Sequence, residues 1–167
     1  KSTRFTNIDL SGLPESEMNV ARMVAITFVN ESFVKTNSED PRKIERMVVI
    51  LDEVDKMWKN EYCKQLIASL YRTARKKNCG CWVITQSLTD FGDDESTRTI
   101  FENTSSMLLF KHQFSTKEYL QKKINITDSQ MATLVELGGD READPELKRR
   151  HRGEMCVVDS GHVYFVK

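Results

Sequence analysis

Met47-Val48-Val49-Ile50-Leu51-Asp52-Glu53 is an apolar, β-favouring run that ends in adjacent acids. A strand that delivers paired carboxylates to its tip supplies what nucleotide hydrolysis requires. Asp52 would hold Mg2+, directly or through a water, and Glu53 would polarise the attacking water toward the γ-phosphate of ATP. Taken alone the pattern is moderately specific, because strands that merely end in solvated acids are common. Further along, the apolar stretch Cys81 to Thr85 runs into Gln86 and a small polar turn. A neutral amide donates to a phosphate and accepts from water. Beside the acids, Gln86 would sense the γ-phosphate and pass its state to Ser87 and the loop beyond. The competing reading is an ordinary turn residue.

Between these segments, Arg72, Arg75 and Lys76 share roughly one face of a helix. Cations near a helix C-terminus are favoured by the helix dipole whatever the function. The functional reading has Arg72 or Arg75 reaching a phosphate, of its own or a neighbouring subunit's nucleotide, where a planar cation neutralises transition-state charge. A second basic cluster, Lys148, Arg149, Arg150 and Arg152, follows acids and has no aromatics among it. It reads as a solvated loop rather than a DNA contact.

The elements that must position these groups alternate between strand and helix. A short strand is expected over Phe5 to Leu10, then a turn at Ser11, Gly12 and Pro14. An amphipathic helix from Glu15 to about Val34 would carry Val20, Val24, Thr27 and Phe28 on its apolar face. Met47 to Leu51 is expected to be a buried parallel strand. A helix over Tyr62 to Lys77 would bury Tyr62, Leu66, Leu70 and Ala74, and a strand over Cys81 to Thr85 would follow. After an acidic loop at Gly92 to Glu95 come a strand at Met107 to Phe110 and helices at Thr116 to Lys123 and Ser129 to Leu137. The last helix ends at Gly138 and Gly139. Asp140 to Arg152 is charged, and Met155 to Asp159 with Val163 to Val166 forms a terminal β-hairpin around Ser160 and Gly161. The pattern is that of an α/β sheet with flanking helices, in which ligands gather at the carboxyl ends of strands.

A chain of 167 residues is long enough for one core, and a single domain over 1–167 is the expectation. A formal net charge of zero removes any long-range argument for nucleic acid or anionic membrane, leaving only local clusters. Cys63, Cys79, Cys81 and Cys156 form no C-x-x-C pair and stand far from His112, His151 and His162, so a zinc site is not expected. Cys79 and Cys81 read as small hydrophobes in a reduced, cytoplasmic protein. No apolar stretch reaches the roughly 18 residues of a membrane span, so membrane association would be peripheral. The start at Lys1, without methionine, reads as a piece of a larger protein.

The runs MVVILDEVDKMW, LYRTARKKNCGCWVITQSLTDF and FENTSSMLLFKH, with the opening FTNIDLSGLPESEMNVARMVAITFV, together resemble the large ATPases of conjugative type IV secretion systems. These are the VirB-type and Tra-type pumps of the FtsK/HerA superfamily of P-loop motors. The resemblance spans most of the chain and leaves Asp140 to Arg152 unanchored. It implies a RecA-like motor that forms rings, typically hexamers, with other copies of itself. It also implies docking at the inner face of the bacterial cell membrane, partnership with conjugation components, and DNA as a candidate partner. By the match of motifs, Asp52 and Glu53 fall on the family's magnesium-binding and water-activating acids. Gln86 falls on its glutamine after the strand, and Arg72 and Arg75 on its basic helix motif.

The chain departs from that family in having no G-x-x-x-x-G-K-S/T loop to hold the β- and γ-phosphates. The family places that loop upstream of the opening segment, so truncation explains its absence, and the fold is expected to be an incomplete RecA-like sheet without the strand leading into the loop. Other motor classes fit less well. An ABC-type ATPase should carry L-S-G-G-Q shortly before its acidic strand, whereas Leu10-Ser11-Gly12 continues with Leu13-Pro14. An AAA-type motor would usually place asparagine where Gln86 stands. Asp52-Glu53-Val54-Asp55 mimics a helicase D-E-x-D box, without the S-A-T motif that should follow. A non-catalytic α/β interaction module, which keeps motor-like strands for packing, remains the alternative from another class. The missing loop generates a prediction: the 167-residue chain alone turns over no ATP, and robust Mg2+-dependent phosphate release by the purified chain would contradict it.

Overall fold

The computed structural model describes residues 5–35, 46–137 and 154–166. The chain divides into two compact units, Lys1–Asn103 and Thr104–Lys167. The expected loop at Lys148 to Arg152 and the glycine stop at Gly138 and Gly139 lie outside the described residues.

The first unit is built on a β-α-β crossover. Strand β1 (Met47–Leu51) leads into a short helix α2 (Val54–Trp58), then α3 (Glu61–Ala74), and returns as β2 (Cys79–Val83). The strands pair in parallel from Met47↔Cys79 to Leu51↔Val83. Such a connection needs a helix to carry the chain back to the starting edge. Helix α3 starts where the Asn60 side chain accepts from the Cys63 N–H at 3.1 Å, an N-cap that satisfies one otherwise orphaned donor. It then turns Cys63, Ile67, Leu70, Tyr71 and Ala74 inward at helical spacing, where they join Val49, Leu51, Val54, Trp58 and Ile26 in one core. The helix is continued by a single 3-10 turn, Arg75–Lys77, and stopped by Asn78 in the left-handed conformation (φ 53°).

The sheet does not bury both faces. Val49 and Leu51 face the core, while Val48, Ile50 and Trp82 on the other side are 62%, 59% and 56% exposed. The expected fully buried strand is therefore half-buried: an unbroken apolar run does not report whether one face or two will be covered. The second strand both begins and ends two residues earlier than the expected Cys81 to Thr85, so that Gln86 stands three residues beyond the strand rather than at its end.

Helix α1 (Glu15–Lys35) forms where its spacing predicts. Its buried face differs from the expected one. Ile26 is buried with Met23 and Val29 beside it, and Val20, Val24 and Phe28 are exposed. The sequence from Val20 to Val29 is apolar on nearly every side, so periodicity could not choose a face. Phe5 to Leu10, expected as a strand, forms none and pairs with no strand among the described residues. Helix α4 (Glu95–Asn103) closes the unit; no element is expected there from sequence, and only its first residue, Glu95, falls in the expected acidic loop, as its end. Asp94 starts it, accepting from the Thr97 N–H at 2.9 Å, while its carbonyl accepts from Arg98 at 3.0 Å.

The second unit holds an antiparallel sheet in the order β3-β4-β5, with β3 at Ser106–Leu109, β4 at Met155–Asp159 and β5 at His162–Val166. The expected hairpin is present. Its turn places both Ser160 (φ 50°) and Gly161 (φ 82°) in the left-handed region, the backbone twist a tight hairpin requires. The strand expected near Met107 exists, but it pairs with β4 instead of extending the parallel sheet. Helices α5 (Lys117–Ile124) and α6 (Asp128–Glu136) contribute Leu120, Met131 and Leu134 to the buried residues. A capping box begins α6: Thr127 Oγ1 accepts from the Gln130 N–H at 3.3 Å, and Gln130 Oε1 from the Thr127 N–H at 2.8 Å.

The Asp94 cap is also an ion pair. Lys64 Nζ lies 2.6 Å from Asp94 Oδ2 and 2.9 Å from Glu61 Oε2. Burial works against the charge on Asp94, but the Lys64 hydrogen bond and the Thr97 N–H outweigh it and hold the carboxyl below its usual value of 3.8. The same bonds to Asp94 and Glu61 raise the Lys64 ammonium above 10.5. A carboxyl depressed in the fold contributes stability that is complete above its unfolded value and is lost as pH falls through its folded one. The raised ammonium contributes below its unfolded value and loses that contribution as pH rises through its folded one. Replacing Asp94 by Ala should therefore cost about 1 kcal/mol near neutral pH, and the difference from wild type should shrink below about pH 4. Denaturant melts of both proteins across pH test this, and a difference that persists undiminished at pH 2 would contradict it.

Candidate nucleotide site

Asp52 and Glu53 leave β1 through a bulge. Leu51 and Val83 are register partners, so a regular parallel ladder would have Ile84 bonded to Leu51 and Glu53. Instead the Ile84 N–H donates to the Leu51 carbonyl at 2.8 Å and the Ile84 carbonyl accepts from the Val54 N–H at 3.0 Å. Glu53 is the extra residue, and it takes the left-handed conformation (φ 50°, ψ 43°). Its own N–H is satisfied locally, by Asp52 Oδ1 at 2.8 Å. The bulge swings both acids out of the pleat and into solvent.

Glu53 is a glutamate in a conformation that L-residues with a Cβ rarely adopt. No tight hairpin calls for it. Strain of this kind is retained where the surroundings impose it, and it clusters at functional sites. The Glu53 carboxylate leans back over α2, with Oε2 at 2.5 Å from Lys56 Nζ.

Across the ladder, Ile84 leads through Thr85 to Gln86, so the exposed amide stands on the strand neighbouring the acids and at the same end. The turn beyond is held by its own hydroxyls. Thr85 Oγ1 accepts from the Ser87 N–H at 3.2 Å and lies 3.4 Å from Asp55 Oδ1, and the Ser87 and Thr89 hydroxyls are 3.0 Å apart. The contact with Asp55 ties this turn to α2. Asp52, Glu53 and Gln86 are thus brought to one end of one parallel pair.

Arg72 and Arg75 are not. Helix α3 runs antiparallel to the strands, and its C-terminal end lies where Met47 N–H donates to the Asn78 carbonyl, at the start of β1. A helix of 14 residues is about 21 Å long, so these arginines stand at the opposite end of the layer from the acids of their own chain. Arg72 Nη2 instead reaches Thr99 Oγ1 at 3.5 Å, within a groove of ≈ 490 Å³ between α3 and α4 that neither acid nor Gln86 lines.

Trp58, Phe91 and Thr97 were not singled out by sequence. All are buried around the loop that follows Gln86. The only signal in the chain was a tryptophan spaced one helical turn beyond Val54, which an apolar core explains equally well. Burial, then the neighbouring Cys79, pushes the Cys81 thiol up to about 12, and burial raises the Cys79 thiol as well.

With this geometry in place, the comparisons are specific. Residues 10–133 match the family model described as an AAA-like domain, which is most of the chain, and the chain belongs to that family. The structure is similar to VirB4 of Thermoanaerobacter pseudethanolicus, with a TM-score of 0.65 and 22% identity over 93% of this chain. The mixed α/β fold with its terminal hairpin is thus one shared with VirB4. The chain spans 38% of the length of that protein. No curated protein sequence matches it.

The strained bulge yields a direct test. Glu53→Gly removes the Cβ penalty and only a solvent-exposed ion pair, and should raise the stability of the chain by up to about 1 kcal/mol. Equilibrium denaturation measures it. A clear loss of stability would show that the Glu53 side chain, rather than function, holds the bulge.

Proposed function

We propose that this chain is part of an ATP-hydrolysing motor that energises type IV secretion or conjugative DNA transfer. What supports the reading is the bulge at Glu53, which leaves an acid pair at the carboxyl end of β1, the same end of the parallel pair at which Gln86 follows β2. That is where α/β sheets bind ligands. The family and the fold shared with VirB4 support the same assignment.

In this reading Asp52 would hold Mg2+ and, with Glu53 and Gln86, would face the phosphates of bound ATP. The donor chemistry fits a hard cation, which takes oxygen ligands and keeps several waters. One Asp52 oxygen is held by the Glu53 N–H, which fixes the carboxylate without consuming its charge. Bound Mg2+ would neutralise charge developing on the phosphates. Glu53 orients the attacking water and takes its proton. To do so it shares or releases Lys56, which now holds one of its oxygens. Gln86 donates to the γ-phosphate or holds the same water. Arg72 and Arg75 contribute only across an interface between copies, because their own acids lie at the far end of the layer. A ring of copies, hexameric in similar motors, would bring such a neighbour.

Among the described residues no helix is long and apolar enough to cross a membrane. We assign the protein to the cytoplasmic side, peripheral at the inner membrane, with secretion or conjugation components as partners and DNA as a candidate cargo. The β- and γ-phosphates would be cradled by a phosphate loop outside these residues.

The test is a Glu53→Gln substitution in the full-length protein. Turnover should fall by at least about a hundredfold while binding of a fluorescent ATP analogue is retained. A variant that hydrolyses ATP at the wild-type rate would remove Glu53 from the chemistry.

A further inference from the structure

The loop that follows Gln86 ends at a joint. Phe91, the last residue of a 3-10 turn over Thr89–Phe91, is buried, and its carbonyl oxygen accepts two hydrogen bonds. Trp58 Nε1 donates at 2.9 Å and Thr97 Oγ1 at 2.5 Å. Trp58 ends α2, the helix that Glu53 begins, and Thr97 sits in the first turn of α4. The indole also packs edge-on against the Phe91 ring, with centroids 4.8 Å apart. Lys64 closes the same loop from α3 through Asp94, with its ammonium 6.0 Å from the Trp58 ring centroid.

A carbonyl oxygen has two lone pairs, and both are used here. Neither donor has water to turn to, so breaking either bond strands a buried polar group. Such a joint favours discrete closed and open arrangements over gradual give. It connects three things that the candidate site needs to keep in register: the acid pair, through α2; the loop bearing Gln86, through Phe91; and α4, through Thr97.

We propose that Trp58 and Thr97 are positioning residues for nucleotide hydrolysis, acting through the Phe91 carbonyl to hold the Gln86 loop against α2 and to pass its movements to α4. The proposal rests on the reading of Asp52, Glu53 and Gln86 as the phosphate site. Both residues also belong to the core, so lost stability alone says nothing about positioning.

The test uses the full-length protein, with Thr97→Val, Thr97→Ser, Trp58→Phe and Glu53→Gln compared at equal folded fraction. Thr97→Val and Trp58→Phe should each lower kcat about tenfold with KM for ATP within about twofold, and Thr97→Ser, which keeps the hydroxyl, should restore most of the loss. The nucleotide-dependent change in hydrogen exchange, compared within each variant, supplies a readout separate from lost stability. Replacing ADP by a non-hydrolysable ATP analogue should change protection over residues 86–94 and 95–103 in the wild type, and over 86–94 alone in the variants. If Thr97→Val does not fold, Trp58→Phe is read in the same two ways. Variants that keep both kcat and the response in 95–103, while Glu53→Gln abolishes turnover, overturn the joint and leave the phosphate site standing. Normal turnover in Glu53→Gln, or none in the wild type, overturns the phosphate site and the joint with it.

Discussion

Two hydrogen bonds at Ile84 hold the candidate site in place. One keeps β2 in parallel register with β1, and the other skips Glu53 to reach Val54. The skip forces a single residue into the left-handed region and turns the chain sharply from strand to helix. Without it, alternation along the strand would send Asp52 and Glu53 to opposite faces of the sheet. With it, both acids stand exposed at the tip of the strand. The Asp52 carboxylate completes the arrangement by taking the one N–H that the bulge leaves over.

The rest of the first unit makes that turn rigid. Val54 and Trp58 are buried directly behind it, and α3 carries the core residues that α2 and both strands pack against. The conformational cost is concentrated at one position, Glu53, and met by burial on the residues that flank it. The same packing decides where cations stand. Because α3 must return the chain to the start of β2, its basic end is carried away from the acids, and any role for Arg72 or Arg75 in phosphate chemistry belongs to an interface. Lys64, at the other end of α3, is committed to Asp94 and Glu61.

Much of this was legible in the sequence. The run Met47 to Leu51, its acids, the crossover helix and the terminal hairpin each carry strong local signals: an unbroken apolar, β-favouring run, helical spacing that ends on Leu70 and Ala74, and a Ser-Gly turn, although Tyr62, expected on the buried face of the helix, is 45% exposed and Cys63 takes its place in the core. The fold shared with VirB4 follows from the same motifs. What could not be read were choices made by tertiary packing. Val20, Val24 and Phe28 repeat as faithfully as a buried face, yet Ile26 is the residue that packs inward. Helix α4 was hidden because Asp94 and Glu95 looked like loop acids, when one caps the helix and the other opens it. The bulge leaves no mark in composition, since nothing about a glutamate announces a positive φ. Nor does Phe91 announce that its carbonyl is shared by two distant donors.

The central claim is that Asp52 and Gln86 address one bound phosphate from neighbouring strand ends. The most direct measurement is a structure of the full-length protein with Mg2+ and a non-hydrolysable ATP analogue. The account predicts the Asp52 carboxylate on the metal, directly or through one water, and the Gln86 amide within hydrogen-bond reach of the γ-phosphate or its attacking water. A nucleotide seated elsewhere, with its γ-phosphate out of reach of both residues, would contradict it.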